Sequence, residues 1–334
     1  MIKIALLGCG TMGNVHARAY RNIPNASLVS VCDIDKAKAE ATAEINGSCA
    51  YSDFYEMLLH EDFDVLDICL PTYLHKEYAV KGFQHKKHVF CEKPIALCVK
   101  DAEEMIGMAQ QKHLKLSVGH VVRYFPAYAN AVAAVNSGRI GTPRLIRTTR
   151  NQGFPRWSWQ NWYADESRSG GLMLDLIIHD FDWICHSFGK IERVYALSLK
   201  GKVLDKDHCM VTLRMQNGAI AHVEGSWAYP DGSPFRTTFE VVGTSGQIEF
   251  DSIKNTGIER YENTGSYKTV FSSPLCPSLD PYTTEIREFI DCVEQDTALK
   301  VTGEEALAAL KIALAAVRSV QTGESIGASE AGIC

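Results

Sequence analysis

The sequence predicts an α/β protein of two domains. Residues 1–122 are expected to form a doubly wound parallel sheet, and residues 123–334 an α+β domain with a large, open, mostly antiparallel sheet. The length of 334 residues exceeds one average domain and suffices for two hydrophobic cores. Apolar strand patterns alternate with helical patterns in the first third, as in a parallel sheet covered by helices on both faces. Later strands follow one another across Asn-Gly and Ser-Gly turns, as in an antiparallel sheet.

The bulk composition narrows the class of partner. Hydrophobic residues make up 46% and charged residues 22%, which is typical of a globular protein. A net charge of -6 without a basic block argues against a nucleic-acid or membrane partner and favours a small molecule. The 11 cysteines are odd in number and form no C-x-x-C pair, and neither a signal-peptide core nor a membrane-spanning run is present. A reducing cytoplasm is therefore expected.

The first strand leads into a glycine motif. Residues 2–7 (IKIALL) form a short apolar run that predicts a buried parallel strand. Gly8, Gly10 and Gly13 then satisfy G-x-G-x-x-G where this strand gives way to a helix. Glycines there allow a tight turn and close approach of backbone N–H groups to a pyrophosphate, whose charge the helix dipole favours. The motif predicts a dinucleotide site.

An acidic residue ends the second predicted strand. Asp33 lies 20 residues beyond Gly13 (33 − 13), where a carboxylate can accept both ribose hydroxyls of NAD. No Arg or Lys directly follows Asp33, so NAD is favoured over NADP as cofactor. Asp33 as a helix N-cap, or Asp35 as the capping residue, is the alternative. Further residues assigned to the cofactor site are Thr11, Met12, Ile34 and Glu92.

Two further loops follow strands of the same predicted sheet. In PTYLH, Pro71, Thr72 and His75 are expected beside the nicotinamide half of the cofactor, with His75 as an ordinary helix-start residue as the alternative. In CEKPIA, Pro94 disfavours helix for Lys93, which is therefore held extended or turned. A lysine in a partly desolvated cleft can have its pKa lowered and can donate to a substrate oxygen. Lys93 is thus a candidate for both cofactor and substrate contact.

Residues 170–186 (GGLMLDLIIHDFDWICH) are predicted to form one apolar helix with a polar stripe. At about 100° per residue, its four polar side chains fall within roughly 60° of each other. They are Asp175, His179, Asp182 and His186. Burying such groups without partners costs several kcal/mol, so the stripe must face solvent, a cavity or a metal.

Four segments together resemble a known family. In order and spacing, GCGTMGNVH, CLPTYLH, CEKPIA and SGGLMLDLIIHDFD are similar to segments of the glucose-fructose oxidoreductase / inositol dehydrogenase / rhizopine-catabolism (Gfo/Idh/MocA) family of NAD(P)-dependent sugar and cyclitol dehydrogenases. The resemblance covers nearly the whole chain and implies an N-terminal Rossmann domain. It also implies that Lys93, Asp175 and His179 line the catalytic cleft, and that the C-terminal sheet pairs subunits into a homodimer or homotetramer.

The chemistry of alcohol oxidation suits these residues. A base must take the hydroxyl proton while hydride leaves to C4 of the nicotinamide, and a histidine titrating near neutral pH is suited to this. His179 is the expected base, Asp175 would orient it or bind a hydroxyl, and Lys93 would stabilise the developing alkoxide. Adjacent titrating groups share protons, so Lys93 stays an alternative base. A cyclitol such as myo-inositol is the first expectation for the substrate, with another sugar, an anhydrosugar or a nucleotide sugar as alternatives.

Weaker indications lie in the second domain. By the same resemblance, Arg123 and Tyr124 fall where a basic substrate contact is common, although a linker salt bridge would also explain Arg123. Trp162 belongs to an aromatic cluster suited either to the C–H faces of sugars or to core packing. The other members of this cluster are Trp157, Trp159 and Tyr163.

Two rival functions stay open at this point. The polar stripe could ligate a divalent metal for hydrolase or lyase chemistry, although no metal is expected. Alternatively, the chain could be a non-catalytic NAD-sensing regulator, since fold does not fix function.

Overall fold

A computed structural model of the chain describes residues 1–199, 207–254, 258–263, 267–272 and 280–330. It contains two compact units. The first comprises residues 1–121 and 278–307, and the second comprises residues 122–277 and 308–334. The two continuous domains expected from the sequence, 1–122 and 123–334, stay a prediction.

The first unit is a six-stranded parallel sheet with strand order β3-β2-β1-β4-β5-β6. This is the order of a doubly wound sheet whose connections reverse between β1 and β4. Its elements are β1 (Ile2–Leu7), α1 (Thr11–Tyr20), β2 (Ala26–Cys32), α2 (Lys36–Asn46), β3 (Cys49–Tyr51), α3 (Phe54–His60), β4 (Val65–Ile68), α4 (His75–Gln84), β5 (His88–Glu92), α5 (Val99–Gln111) and β6 (Leu116–Gly119).

The central strands form the core of this unit because they are apolar on both faces. All four residues of β4 and of β6 are buried, as continuous hydrophobic runs in parallel sheets usually are. A C-terminal helix, α10 (Pro281–Glu294), adds Ile286, Phe289 and Ile290 to the same core. Of these elements, β3 and α3 were not predicted, since a three-residue strand carries too little pattern to recognise.

The second unit contains a nine-stranded sheet, antiparallel except for the pair of β7 and β10. Its order is β14-β13-β12-β11-β7-β10-β9-β8-β15. Its elements are α6 (Pro126–Asn136), β7 (Pro143–Gly153), α7 (Glu166–Ser169), α8 (Gly171–Asp175), α9 (Ile178–Phe188), β8 (Ile191–Ser198), β9 (His208–Met215), β10 (Ile220–Tyr229), β11 (Arg236–Gly243), β12 (Gly246–Asp251), β13 (Ile258–Asn263), β14 (Tyr267–Ser272) and β15 (Ile326–Gly327). Another helix, α11 (Gly303–Thr322), runs from the first unit into the second.

Helices cover one face of this sheet. The Trp183 ring on α9 is fully buried and lies 4.9 Å from the ring of Tyr128 on α6 and 5.1 Å from that of Phe239 on β11. Buried and exposed residues alternate along β9, as expected for a sheet with one covered face. The predicted fold class, a doubly wound parallel sheet plus an α+β domain with an open, mostly antiparallel sheet, is confirmed. Among the described helices, none is both long and apolar enough to cross a membrane.

Candidate active site

The glycine motif forms the turn between β1 and α1. Gly8 has φ 97°, a left-handed conformation, and a Cβ there would lie 2.6 Å from the Cys69 carbonyl oxygen. A Cβ on Gly13 would lie 1.9 Å from the Gly8 carbonyl oxygen, so the helix can approach the loop only without a side chain. Gly10 differs, because a Cβ there would meet no atom within 4 Å. The open space at Gly10 fits the close approach of a ligand.

The residues around this loop suit a dinucleotide. Gly10 is the N-cap of α1 and gives the helix no side-chain cap. The Asn14 amide braces the loop, donating to the carbonyls of Cys9 and Gly10 at 2.9 Å each. Thr11 is exposed and Met12 half-buried in the first turn of α1. N–H groups at an uncapped helix start and the helix dipole attract phosphate oxygens, so the loop fits the pyrophosphate that the sequence predicts.

Asp33 follows β2 and lies against the glycine loop. Its Oδ2 accepts from the backbone N–H of Cys9 at 2.8 Å, and its Oδ1 accepts from the N–H of Asp35 at 2.8 Å. Asp35 is the N-cap of α2 but makes no side-chain capping bond, while Ile34 is exposed beside it. The carboxylate is thus fixed at the sheet edge where an adenosine ribose would bind.

His75 joins two loops at the ends of β4 and β5. Its Nδ1 lies 2.8 Å from the carbonyl oxygen of Pro94, and its Nε2 lies 2.8 Å from that of Leu70. Burial lowers the pKa of His75, against the opposing effect of the two carbonyls. Pro71 and Thr72 lie in the first of these loops, at the start of a short 3-10 helix. His75 therefore fixes the loops predicted to hold the nicotinamide.

The segment Glu92–Lys93–Pro94 directly follows β5. Glu92 is buried, and its Oε2 accepts from the backbone N–H of Lys93 at 3.1 Å. Burial acts to raise the pKa of Glu92, but a hydrogen bond and the charge of His16, followed by the charge of Lys93, lower it overall. The Lys93 residue is half-buried. An ionised acid thus lies directly beside the lysine that the sequence singles out.

Sequence reasoning missed three polar residues behind this segment. His16 on α1 lies with its Nδ1 2.9 Å from Asp67 Oδ2 and its Nε2 3.2 Å from Glu92 Oε1. The Tyr20 hydroxyl donates to Asp67 Oδ2 at 2.8 Å. All three are buried. The polar Asp67 within the apolar run VLDICL was a usable indication, because a buried carboxylate needs a partner.

One potential metal-binding group occurs among the residues that the structure describes. It comprises His16, Asp67 and Cys69, whose ligand atoms lie within 4.8 Å of one another. The His16 and Asp67 atoms already bond to each other, and burial raises the pKa of the Cys69 thiol, which disfavours the thiolate that a metal needs. We interpret the group as a hydrogen-bond network. The polar stripe of residues 170–186 contains no such group within the described chain.

The prediction of one continuous helix over residues 170–186 is wrong. The segment forms two helices, α8 and α9, separated at Leu176 and Ile177. The N–H groups of both residues donate to the Leu172 carbonyl, which makes a wider i→i−5 turn and changes the angular step along the segment. Buried Asp175 therefore ends α8, while half-buried His179 lies in the first turn of α9.

Asp182 and His186, the other two residues of the polar stripe, contact Arg123. The Arg123 Nε and Nη2 donate to the two carboxylate oxygens of Asp182 at 2.7 and 2.5 Å, and Nη1 lies 3.0 Å from His186 Nδ1. The side chains of Arg123 and Asp182 are only 7% and 1% exposed. A bidentate, buried ion pair accounts for this part of the stripe. The substrate contacts of Arg123 and its half-buried neighbour Tyr124 stay predictions.

The aromatic residues after β7 form a ring cluster at the surface of the second unit. The half-buried Trp162 and Tyr163 rings lie 4.2 Å apart, and Tyr163 also contacts Trp157 at 5.7 Å and Trp227 at 6.1 Å. Trp157 and Trp159 are exposed. The cluster thus has a packed side and an open side, and a sugar contact through Trp162 stays a prediction.

Comparison with known proteins decides the family. Residues 2–120 match the family described as "Oxidoreductase family, NAD-binding Rossmann fold", and residues 128–249 match the "GFO/IDH/MocA C-terminal domain". The chain belongs to the GFO/IDH/MocA oxidoreductase family. The resemblance noted in the sequence is confirmed, and so are the oxidoreductase class and NAD as cofactor.

Relatives and solved structures match this oxidoreductase over almost its full length. The myo-inositol 2-dehydrogenase of Thermotoga maritima is 30% identical over 98% of this chain and 99% of its own. The scyllo-inositol 2-dehydrogenase (NAD(+)) of Bacillus subtilis is 28% identical over 96% and 95%. An NAD binding oxidoreductase from Klebsiella pneumoniae superposes with a TM-score of 0.86 at 25% identity, covering 98% of this chain and 99% of that one.

Proposed function

We propose that the protein oxidises a secondary alcohol of a cyclitol, as an NAD-dependent inositol 2-dehydrogenase. The observation that carries this proposal is the match to the myo-inositol 2-dehydrogenase of T. maritima, 30% identical over 98% of this chain. A relative that acts on scyllo-inositol supports the same substrate class. Another sugar, an anhydrosugar or a nucleotide sugar is the second candidate, because the predicted substrate residues recognise hydroxyl groups common to all of them.

We assign the chemical roles as follows. Gly8, Gly10 and Gly13 would hold the pyrophosphate of NAD, and Asp33 would bind the adenosine ribose. Bound NAD would supply the hydride acceptor. Lys93 donates a hydrogen bond to the substrate oxygen and stabilises its negative charge as the O–H proton leaves.

The proton acceptor comes from the second unit in this proposal. His179 takes the hydroxyl proton, and Asp175 orients the imidazole or binds a neighbouring hydroxyl. Arg123, Tyr124 and Trp162 complete the substrate contacts.

A substrate panel tests the proposed activity. NADH formation is followed by absorbance with NAD or NADP over inositols, aldoses, their phosphates and nucleotide sugars. We expect the highest kcat/KM for an inositol with NAD. Turnover confined to a non-cyclitol sugar would favour the second candidate. Tight NAD binding without turnover of any alcohol would favour the sensing function.

A single substitution tests the role of Lys93. Lys93→Met should leave NAD affinity unchanged and lower kcat by more than about a hundredfold, since it removes the charge that stabilises the developing alkoxide. Lys100→Met, the same change at an exposed lysine on α5, is the matched control and should have normal turnover. Near-normal turnover of Lys93→Met would refute the assigned role.

We also propose that a second copy of the chain covers the open face of the nine-stranded sheet, giving a homodimer or homotetramer in a reducing cytoplasm. Large apolar side chains are exposed along β8 to β10, and all nine described cysteines are free. The apolar residues on these strands are Tyr195, Leu197, Met210, Ile220 and Tyr229. Apolar patches of this kind mark protein interfaces.

Light scattering after size exclusion tests this interface. Leu197→Asp, at a leucine that is 57% exposed on β8, should yield a smaller species than wild type, since a charge would be buried in the interface. Leu59→Asp, at a leucine that is 79% exposed on α3, is the matched control and should keep the wild-type mass. An unchanged mass for Leu197→Asp would argue against this face as the interface.

A further inference from the structure

A buried charged cluster lies behind Lys93 and has no role in the proposed mechanism. Its centre is the fully buried imidazole of His16, which lies between two carboxylates. The Nδ1 atom is 2.9 and 3.2 Å from the two oxygens of Asp67, and the Nε2 atom is 3.2 Å from Glu92 Oε1. Asp67 and Glu92 lie 51 and 76 residues from His16 in the sequence, so only the tertiary fold brings the three side chains together.

The hydrogen-bond geometry indicates the charge of the ring. An ionised carboxylate only accepts hydrogen bonds, and a neutral imidazole has one N–H, so two carboxylates on the two ring nitrogens require an imidazolium. Burial acts to lower the pKa of His16, but the charge of Asp67 and the hydrogen bonds of the ring to Asp67 and Cys69 raise it well above its usual value. The lowered pKa of Glu92 agrees with an ionised partner.

The other titratable groups beside the ring are neutral, so they do not change the positive charge assigned to His16. The Cys69 Sγ lies 3.2 Å from Nδ1, and burial raises the pKa of that thiol, which is therefore neutral. The rings of Phe90 and Tyr282 lie 5.6 and 6.5 Å from the His16 ring. Burial also raises the pKa of Tyr282 to about 12, so its hydroxyl is neutral too. Asp67 and Glu92 are the negative groups facing His16.

Glu92 transmits this contact to the catalytic segment. One of its oxygens faces His16, and the other accepts from the backbone N–H of Lys93 at 3.1 Å. On another side, a Cβ added to Gly119 at the end of β6 would lie 3.3 Å from the carboxylate carbon. The hydrogen bonds to His16 and to the Lys93 backbone therefore fix the carboxylate, and its charge lies next to Lys93.

We propose that His16 is a positioning residue, whose buried imidazolium holds the Glu92 carboxylate in place and thereby sets the orientation of Lys93. This inference rests on the proposed role of Lys93. Asp67 holds the other side of the His16 ring, and Tyr20 supports Asp67 from outside the path to Lys93. Displacing a catalytic group by about 1 Å can cost on the order of a hundredfold in rate, which makes a residue one contact away consequential.

The principal test compares two substitutions in the cluster. His16→Asn removes the cation and should lower kcat by about 10- to 100-fold, with the Kd of NAD, measured by calorimetry, within about twofold of wild type. Tyr20→Phe is the matched control, because it removes the hydrogen bond to Asp67 and leaves the contact of His16 with Glu92. It should lower the melting temperature and keep kcat within about twofold. Equal kcat losses in both variants would show a merely structural cluster and overturn the inference.

A double-mutant cycle tests whether His16 acts through Glu92. If it does, kcat of the His16→Asn/Glu92→Gln variant should equal that of Glu92→Gln alone. Multiplicative losses would overturn the inference. Gly119→Ala offers a route that deletes no polar group, since its methyl would push on the Glu92 carboxylate. It should lower kcat and leave the Kd of NAD within about twofold of wild type, and an unchanged kcat would count against the inference.

The charge of His16 can be read without activity. In protein labelled with nitrogen-15 histidine, the resonances missing from His16→Asn identify the ring, and both of its nitrogens should carry protons at pH 8. A ring nitrogen without a proton there would overturn the inference. The outcomes separate the two proposals: normal kcat for Lys93→Met refutes the role of Lys93, whereas loss in Lys93→Met with normal kcat in His16→Asn refutes the inference alone.

Discussion

Alanine substitutions at two glycines of the same motif should have different effects, one on NAD affinity and the other on stability. A Cβ on Gly10 meets no protein atom within 4 Å, and the backbone there has φ -75°, which any residue adopts. Gly10→Ala should therefore fold normally. Its methyl group would occupy the space through which a pyrophosphate approaches the backbone. We expect the Kd for NAD to rise at least tenfold, equivalent to about 1.4 kcal/mol.

The methyl group added by Gly13→Ala would clash with the protein backbone. Its Cβ would lie 1.9 Å from the Gly8 carbonyl oxygen, far inside van der Waals contact, so α1 or the loop must move. Overpacking of this kind costs about 1–3 kcal/mol, which lowers the melting temperature by roughly 2–12 °C for a unit of this size.

Calorimetry separates the two effects. Scanning calorimetry without NAD should show a lowered melting temperature for Gly13→Ala and an unchanged one for Gly10→Ala, while titration with NAD should show weakened binding by Gly10→Ala. If Gly10→Ala binds NAD as tightly as wild type, the assignment of the open space to the cofactor is refuted.

Three further predictions follow from the polar contacts. His16 keeps its proton to higher pH in the folded than in the unfolded chain, so its stabilisation is complete below about pH 6.5 and declines above it. Urea titrations give the difference in free energy of unfolding between wild type and His16→Asn. As the pH rises above about 6.5, this difference should fall by up to about 1.4 kcal/mol per pH unit, and a constant difference would contradict the prediction. Asp33→Asn should lower the ratio of kcat/KM for NAD to that for NADP by about tenfold or more, because the like charge facing a 2′-phosphate is removed; an unchanged ratio contradicts it. Asp182→Ala removes the bidentate carboxylate partner of the buried Arg123 guanidinium and should cost about 3–5 kcal/mol in urea unfolding, so a loss under about 1 kcal/mol would be inconsistent with a buried pair.

Local patterns in the sequence were sufficient to predict most of the fold. The run IKIALL, the glycines after it and the acidic end of the next strand each act within a few residues, and the structure places all three as expected. The helix of residues 170–186 failed for an equally local reason. A single wide turn at Leu176 and Ile177 ends the regular 100° step, which composition does not reveal.

Long-range pairing explains what the sequence could not supply. Arg123 and Asp182 are 59 residues apart in the sequence, and His16 and Glu92 are 76 apart. At such separations no regular spacing in the sequence indicates that the two residues are partners. The pattern showed only that a charged group lay in an apolar setting, as with Asp67 in β4, and the partner had to come from the fold.

One helix connects the predicted coenzyme loop to the lysine proposed to be catalytic. The first turn of α1 follows Gly10, where the pyrophosphate is expected, and the same helix carries His16 less than two turns later. An isolated carboxylate in the fully buried strand β4 would cost several kcal/mol, so Asp67 requires the cation that α1 brings to it. That cation also contacts Glu92 beside Lys93. The helix that begins at the predicted pyrophosphate site therefore also carries the side chain that holds the Glu92 carboxylate.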